Sequence, residues 1–496
     1  MRGWLVQQRG VTPASASLPT VGKWRRRFVT QQLAEGLSRR RLMSGAAATA
    51  LALASGCAHE DDDGSGAGVL VGIPQEEFTP PAGKLSGSLR ILAWSHFVPT
   101  YDRWFDDFVR RWAGRVGVDV SIDHIDLSQI TTRVAAEIYA GHGHDLIQYV
   151  APLPQFEPAV LDLSDLVREA NRRWGPQAEL CRQSSFNPTT NRYFAYAPGW
   201  VPVPGNFRRS MWSAIGLPNG PASWDELLRG GTEIRRATGV RLGLGMSQEL
   251  DSNMVGWSLL CSFGSSVQDA EGRVTLDRSE AVAAVEFMAR LYRQAMTDEV
   301  FSWTPSSNNQ GLVAGRLSYI SNSISAWRTA QRTTPGIAGD IHFAPALAGP
   351  ATALAAHHLV HNWIIPKYAT GAAAGQEFLL HYTANFAAAT YSSMLYDLCA
   401  WPGRTPELAN WLRRDPFGAN PADKLALLAD AAKWSVGLGY PGTANAATGE
   451  IVSSYVVPNM FARAARGEVS AATAVADAAA QARSIYAKWQ TRGLVA

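Results

Sequence analysis

SLRILAW (Ser88–Trp94), VDVSI (Val118–Ile122) and DLIQY (Asp145–Tyr149) are three short runs of apolar residues broken at alternate positions by polar ones. Alternation of this kind predicts strands. Between the first two, Tyr101, Trp104, Phe105, Phe108, Val109 and Trp112 recur at helical spacing, with Asp102, Asp106, Arg110 and Arg111 between them. That pattern predicts an amphipathic helix with its aromatic face turned inward. Ile130–Ala140 predicts a second helix before the third strand. Strand, helix, strand, helix, strand implies an α/β domain with largely parallel strands. Ligands of such sheets bind beyond the carboxyl ends of the strands, which singles out Trp94, Ser95, His96, Gln148 and Tyr149.

Downstream, Tyr193–Tyr196 predicts a strand, and the Pro-rich Pro198–Pro204 an interdomain crossing that carries Trp200. In GLPNGPASWDEL (216–227), Ser223 is expected to cap a helix and Glu226 to bond back to it. Asp277 and Glu280 repeat the pattern before the apolar series Val282, Val285, Met288, Tyr292. GRLSYI (315–320) predicts a helix end at Gly315 and then a strand, followed by the polar loop Asn322–Ser323 and by Trp327. Further strands are expected at Ile341–Pro345 and His358–Ile365, the latter holding Asn362 and Trp363. Gly371–Asn385 and the Ala-rich Val469–Trp489 predict helices. Asp251, Ser252 and Asn253 form a polar group before Trp257, suited either to ligand hydroxyls or to a helix cap.

Upstream, SRRRLMSGAAATALALASGC (38–57) sets an arginine block, an uncharged Ala/Leu stretch and small residues before Cys57. That order is an export signal, too short to span a bilayer. SRRRLM resembles the twin-arginine export motif, with Leu42 where Phe is usual. The end resembles a bacterial lipobox in which Cys57 becomes the lipidated first residue, although Ala54 stands where Leu is preferred; simple cleavage is the alternative. Residues 1–56 read as signal plus an extended basic leader, and 57–85 as a Gly-containing tether.

The leader holds nine Lys or Arg and one acid, so 36 basic and 41 acidic residues remain from Cys57 onward, a net charge of −5. The excess of positive charge therefore belongs to the leader, nucleic-acid binding by a basic surface loses its motivation, and no nucleic-acid partner is expected. About 440 residues after Cys57 suggest two domains. Cys181, Cys261 and Cys399 allow at most one disulfide and no zinc pattern. The groups His142, His144, Asp145 and His357, His358, His361 lack ligand spacing. G-x-S-x-G, G-x-x-x-x-G-K and H-E-x-x-H are all absent. No metal, cofactor or catalytic residue is expected.

The lipoprotein-like leader, LRILAWSHF, HDLIQY, GLPNGPASWDEL, EGRVTLDRSEA, GLVAGRLSYI and GEVSAATAVADAAAQA occur in an order and spacing that resembles the extracellular solute-binding proteins of bacterial ABC importers. The resemblance is to the sugar-binding group that includes maltose-binding protein (solute-binding protein family 1), and it covers roughly residues 86–490. Gly205-Asn206-Phe207 stands where many relatives read Tyr-Asn. The resemblance implies two α/β lobes joined by a hinge, the clamshell of periplasmic binding proteins. Lobe 1 would comprise 86–199 and 346–395, and lobe 2 would comprise 200–345 and 396–496. It further implies a monomer outside the cytoplasm, anchored to the membrane by lipid, that captures a carbohydrate or polyol and delivers it to permease subunits. Ligand-binding residues are expected at Trp94, Ser95, His96, Tyr149, Trp200, Asn322, Ser323, Trp327, Asn362 and Trp363. A secreted glycoside hydrolase, which needs two carboxylates in one cleft, and a protein-binding scaffold are the rival readings.

Overall fold

The computed structural model describes residues 75–81, 83–357 and 359–496. The export signal, Cys57 and most of the tether lie outside them, as does His358.

Two four-stranded sheets organise the described chain. In the first, Ser88–Trp94 lies between Asp119–Ile125 and Leu146–Tyr149, and Asn362–Ile364 forms the far edge beside Leu146–Tyr149. The first three strands run parallel, with Ser88 opposite Asp119 and Trp94 opposite Ile125, as the βαβαβ order requires. Asn362–Ile364 arrives from far along the chain and pairs antiparallel, placing Asn362 opposite Tyr149. The expected strand His358–Ile365 is thus shorter than its apolar run.

Helix Pro99–Val116 starts on a proline at its first turn and stops at Gly117, which takes φ 74°, a conformation costly for any residue with a Cβ. Phe105, Phe108, Val109 and Trp112 are buried on one face. Phe378 and Tyr382 of helix Ala372–Ala384 meet them, with ring centroids 6.1 Å (Phe105–Phe378) and 6.1 Å (Phe108–Tyr382) apart. Burying each such side chain contributes about 1.5–3 kcal/mol. Trp104, expected in this core, is only partly buried and stacks on Phe108 at 5.0 Å.

In the second sheet the order is Ile341–Ala344, Gly205–Arg208, Leu317–Ser321, Arg241–Gly243. Helix Trp224–Thr238 packs on its edge strand Arg241–Gly243, helix Ser279–Ala295 on that helix, and helices Val456–Ala465 and Ala471–Gln490 on Ser279–Ala295 and on each other. Ser223 accepts from Glu226 N–H at 3.1 Å, while the Glu226 carboxylate takes the N–H of Ala222 at 2.8 Å, one residue before the cap. The second expected cap is not used. The N-cap there is Arg278, and Asp277 pairs with Arg483 on the C-terminal helix instead. The expected strand Tyr193–Tyr196 is likewise reduced to Arg192–Tyr193 plus a single bridge from Tyr196 to Trp363.

Between the sheets the chain passes through Val201–Pro204, directly after Gly199–Trp200, which pairs with Leu398–Cys399. Val201 N–H donates to Leu359 at 2.8 Å and His361 N–H to Gly199 at 3.0 Å. Three proline rings in 198–204 leave this crossing few backbone donors, so it cannot join a sheet interior. One apolar cluster runs without a break from Leu92, Trp94 and Ile147 through Val150 and Leu153 to Leu244, Leu250 and Ile451. The ends of the first sheet are therefore packed against the second body of the chain.

Candidate functional site

Beyond the carboxyl ends of the first sheet's strands lies a cleft walled on one side by Trp94, His96, Phe97 and Leu127. On the other side stand Asp251, Asn322, Ser323 and Ser325, with Val201 and Pro202 of the crossing and Leu359 and Asp397 at its back. Its free space is about 30 Å³, room for a water molecule and little more.

Trp94 closes its strand and is buried, its ring 4.5 Å from that of His96 and 5.4 Å from Phe97. Its indole Nε1 is buried without a hydrogen-bond partner. An unmet buried donor costs about 1–3 kcal/mol, which an acceptor on a ligand would relieve. His96 is held by its own turn: Val98 N–H donates to Nδ1 at 2.9 Å, and Asp102 takes the His96 N–H at 3.1 Å. Desolvation, with His361 second, drives the His96 imidazole down to about 3. It is therefore neutral in ordinary buffers, and Nε2 carries the hydrogen if Nδ1 accepts.

Opposite stands a polar array. Glu249 caps helix Leu250–Ser262 by accepting from the N–H groups of Asp251 and Ser252. That fixes Asp251 in the first helical turn, where the helix dipole favours an anion. Asp251 Oδ2 accepts from Asn308 Nδ2 and Asn322 Nδ2, both at 2.9 Å. Asn309 Nδ2 donates to Ser325 Oγ at 3.0 Å, and Ser323 Oγ to the same atom at 2.9 Å. At the back, His361 Nε2 lies 2.7 Å from Asp397 Oδ2, both side chains buried.

A second, more polar cavity of about 200 Å³ adjoins the cleft, lined by Tyr149, Thr131, Gln155, Glu249 and Tyr455 among others. Burial, reinforced by Asp251, raises the Glu249 carboxyl to about 8.

Of the ten residues expected at the site, the structure brings Trp94, His96, Asn322 and Ser323 together in the cleft and puts Tyr149 in the adjoining cavity. Five do not line either space. Ser95 is exposed and donates its N–H to Ile125. Trp200 is buried in the ribbon with Leu398, one residue short of the crossing that lines the cleft. Trp327 lies on the inner face of helix Ser325–Thr333 with Ala326 and Ala330, its ring edge-on to Phe343 and covered by the Arg328 guanidinium at 4.5 Å. Asn362 donates to the Val360 carbonyl from within the sheet. Trp363 is fully buried against Phe105, ring centroids 5.9 Å apart.

Sequence reasoning passed over Asp397, Tyr396, Val201, Pro202 and Glu249. For Glu249 the signal was present: a carboxylate directly before an apolar helical run is a capping pattern. Asp397 offered none. Among the described residues no cluster of three or more His, Cys, Asp or Glu side chains could hold a metal. His144 is engaged by Glu137 at 2.7 Å and Asp123 at 3.0 Å. Cys181, Cys261 and Cys399 are free thiols, all buried.

Residues 107–410 match the model of the bacterial extracellular solute-binding protein family. The chain belongs to that family. Solved structures with the same fold include the maltose-bound MalE3 of T. maritima (18% identity, TM-score 0.64, covering 80% of this chain and 99% of that one). A sugar transporter protein of Arthrobacter chlorophenolicus with bound laminaribiose is 16% identical with a TM-score of 0.68, covering 80% and 99%. The GacH receptor of Streptomyces glaucescens, solved with acarbose, is 17% identical with a TM-score of 0.66, covering 81% and 98%. No curated protein matches the chain. As a member of this family the protein is an extracellular solute-binding protein with the two-lobed binding-protein fold, and its relatives are binders. Among its described residues no helix is long and apolar enough to cross a membrane.

Proposed function

We propose that this solute-binding protein captures a carbohydrate or related polyol in the cleft and passes it to the membrane subunits of an ABC importer. The observation that carries the reading is the pairing of walls. Trp94, whose buried indole N–H has no partner, lines the same cleft as the polar side chains of Asp251, Asn322 and Ser323. Aromatic faces suit the apolar side of a sugar ring, and carboxylate–amide arrays suit its hydroxyls. Lobe 1 comprises 86–199 with 346–395, and lobe 2 comprises 200–345 with 396–496. A ligand held from both walls favours the closed state by contacts the open state lacks. The near absence of free space in the cleft fits that closed state, so a sugar enters only after opening. Maltose, laminaribiose and acarbose on proteins of this fold support the substrate class. Cys57 carries the lipid anchor, the protein works as a monomer, and it performs no turnover. Asp251 and Asp397 share the cleft, as a hydrolase would require, yet Asp251 is taken up by two Asn amides and Asp397 by His361. The test is a thermal-shift screen of the mature chain with mono-, di- and oligosaccharides and polyols. A ligand at 100 times its Kd adds about 2.7 kcal/mol. Stabilisation by none of them would refute the reading.

A further inference from the structure

Beside the cleft lies a cavity of about 560 Å³ whose rim takes Val98 and Arg103 from the first body and Thr329, Arg332 and Thr333 from helix Ser325–Thr333. Consecutive residues line the two spaces, Phe97 and Leu395 the inner one and Val98 and Met394 the outer, so the outer cavity is read as the mouth of the cleft. Thr329 Oγ donates to the Phe97 carbonyl at 3.5 Å, joining the two walls.

The mouth is one-sided in charge. No carboxylate lines it. The side chains of Arg103 and Arg332 are exposed and enter no ion pair or hydrogen bond among the described residues. The carboxylates nearest Arg103 along its helix are taken: Asp106 and Asp107 by Arg110, and Asp102 by the His96 N–H. The third arginine of the rim, Arg328, is neutralised by Asp415 through two bonds of 2.8 and 2.9 Å, with both side chains fully buried. Two unpaired guanidiniums thus face one cavity from opposite walls. Bringing them together costs Coulomb energy unless an anion sits between them, and a guanidinium offers a planar fork matched to a carboxylate or phosphate.

We infer that the ligand is an acidic sugar, its ring in the cleft and its carboxylate or phosphate at this mouth between Arg103 and Arg332. The inference rests on the sugar-binding reading and narrows it. No bond is made or broken: the anion bridges the two walls, so it binds the closed form more tightly than the open one and draws the equilibrium toward closure.

The test is calorimetric titration of the mature chain with matched neutral and acidic probes at fixed ionic strength. Glucose is compared with glucuronate and with glucose 6-phosphate, and digalactose with digalacturonate. The same probes are run on Arg103→Gln/Arg332→Gln, whose surface changes leave the fold intact by circular dichroism. In wild type at least one acidic probe binds about tenfold or more tighter than its neutral partner, and in the double variant that preference falls to about twofold or less. The carboxylate and phosphate arms show which anion is taken. Neutral probes binding as tightly as acidic ones, or a preference that survives in the double variant, overturn the inference and leave the sugar-binding reading standing. Failure of every probe, including the wider saccharide panel, overturns both.

Discussion

Asn322 and Asp251, 71 residues apart in sequence, are joined by an amide hydrogen bond of 2.9 Å on the wall of the cleft that faces Trp94. One is in the loop after strand Leu317–Ser321, the other in the first turn of helix Leu250–Ser262. Their bond, with the parallel one from Asn308, presets the wall before any ligand arrives. Asn322→Ala therefore removes a donor from a buried carboxylate and should lower unfolding free energy by about 1–3 kcal/mol, read by urea denaturation. Ligand affinity should fall as well. An unchanged midpoint would mean that this bond does not hold the wall in place.

Arg328 and Asp415 form the most completely buried ion pair of the described chain, and Tyr396 adds a third bond to the carboxylate at 2.6 Å. Burial alone would raise the Asp415 carboxyl, but the Arg328 hydrogen bonds and charge outweigh it and hold it below its usual value. Asp415→Ala strands a cation in the core and should cost about 3–5 kcal/mol by chemical denaturation. Replacing both with apolar residues of similar volume should cost much less, since no unpaired charge is then left behind.

Glu249 gives the protein a pH signature. Its folded carboxyl titrates near 8 against 4.5 in the unfolded chain, through burial first and Asp251 second. Between those values the folded state holds the extra proton, so this contribution to stability is complete below about 4.5 and is lost as pH rises to 8. His96 acts in the opposite sense: with a folded value near 3 against 6.5, its contribution is complete above 6.5 and lost as pH falls toward 3. The Glu249 effect is therefore cleanest between pH 6.5 and 8. There the difference in stability between wild type and Glu249→Gln should change by up to roughly 1.4 kcal/mol per pH unit, measured by denaturant midpoints across the range. A flat difference curve would contradict the assignment.

The leader carries its own prediction. Cys57→Ser should move the protein from the membrane to the soluble fraction of its native host, followed by immunoblot. Retention in the membrane would mean that Cys57 is not the anchor.

The first sheet was legible because its strands and helices follow one another locally and bury one clear face. Pro99–Val116 could be read from Phe105, Phe108, Val109 and Trp112, and Ile130–Ala140 ends where expected, at Gly141. Asn362–Ile364 joins that sheet across more than 200 residues, so its antiparallel pairing had no local signal. The lining of the candidate cleft was legible in part for the same reason. Trp94 and His96 follow from the strand-end rule and Asn322 and Ser323 from the loop after a strand. Trp327 and Trp363, expected at the site, do not line the cleft, because a strand end or loop gives a position along the chain but not the side a ring faces. Trp327 occupies the buried stripe of a short helix, and Trp363 fills the gap between its sheet and Phe105. Asp277 shows the same limit: its spacing fits a cap, and the arrival of Arg483 from the last helix decides otherwise.

The central claim is that the cleft between Trp94 and the Asp251–Asn322 wall holds the ligand. It is tested most directly by titrating Trp94→Ala with the saccharide that stabilises wild type, beside Trp327→Ala as a control whose ring is buried elsewhere. Trp94→Ala, confirmed folded, should bind about 30-fold or more weakly, a loss of about 2 kcal/mol, while Trp327→Ala should lose stability but keep its affinity within about threefold. Wild-type affinity in a folded Trp94→Ala would contradict the claim.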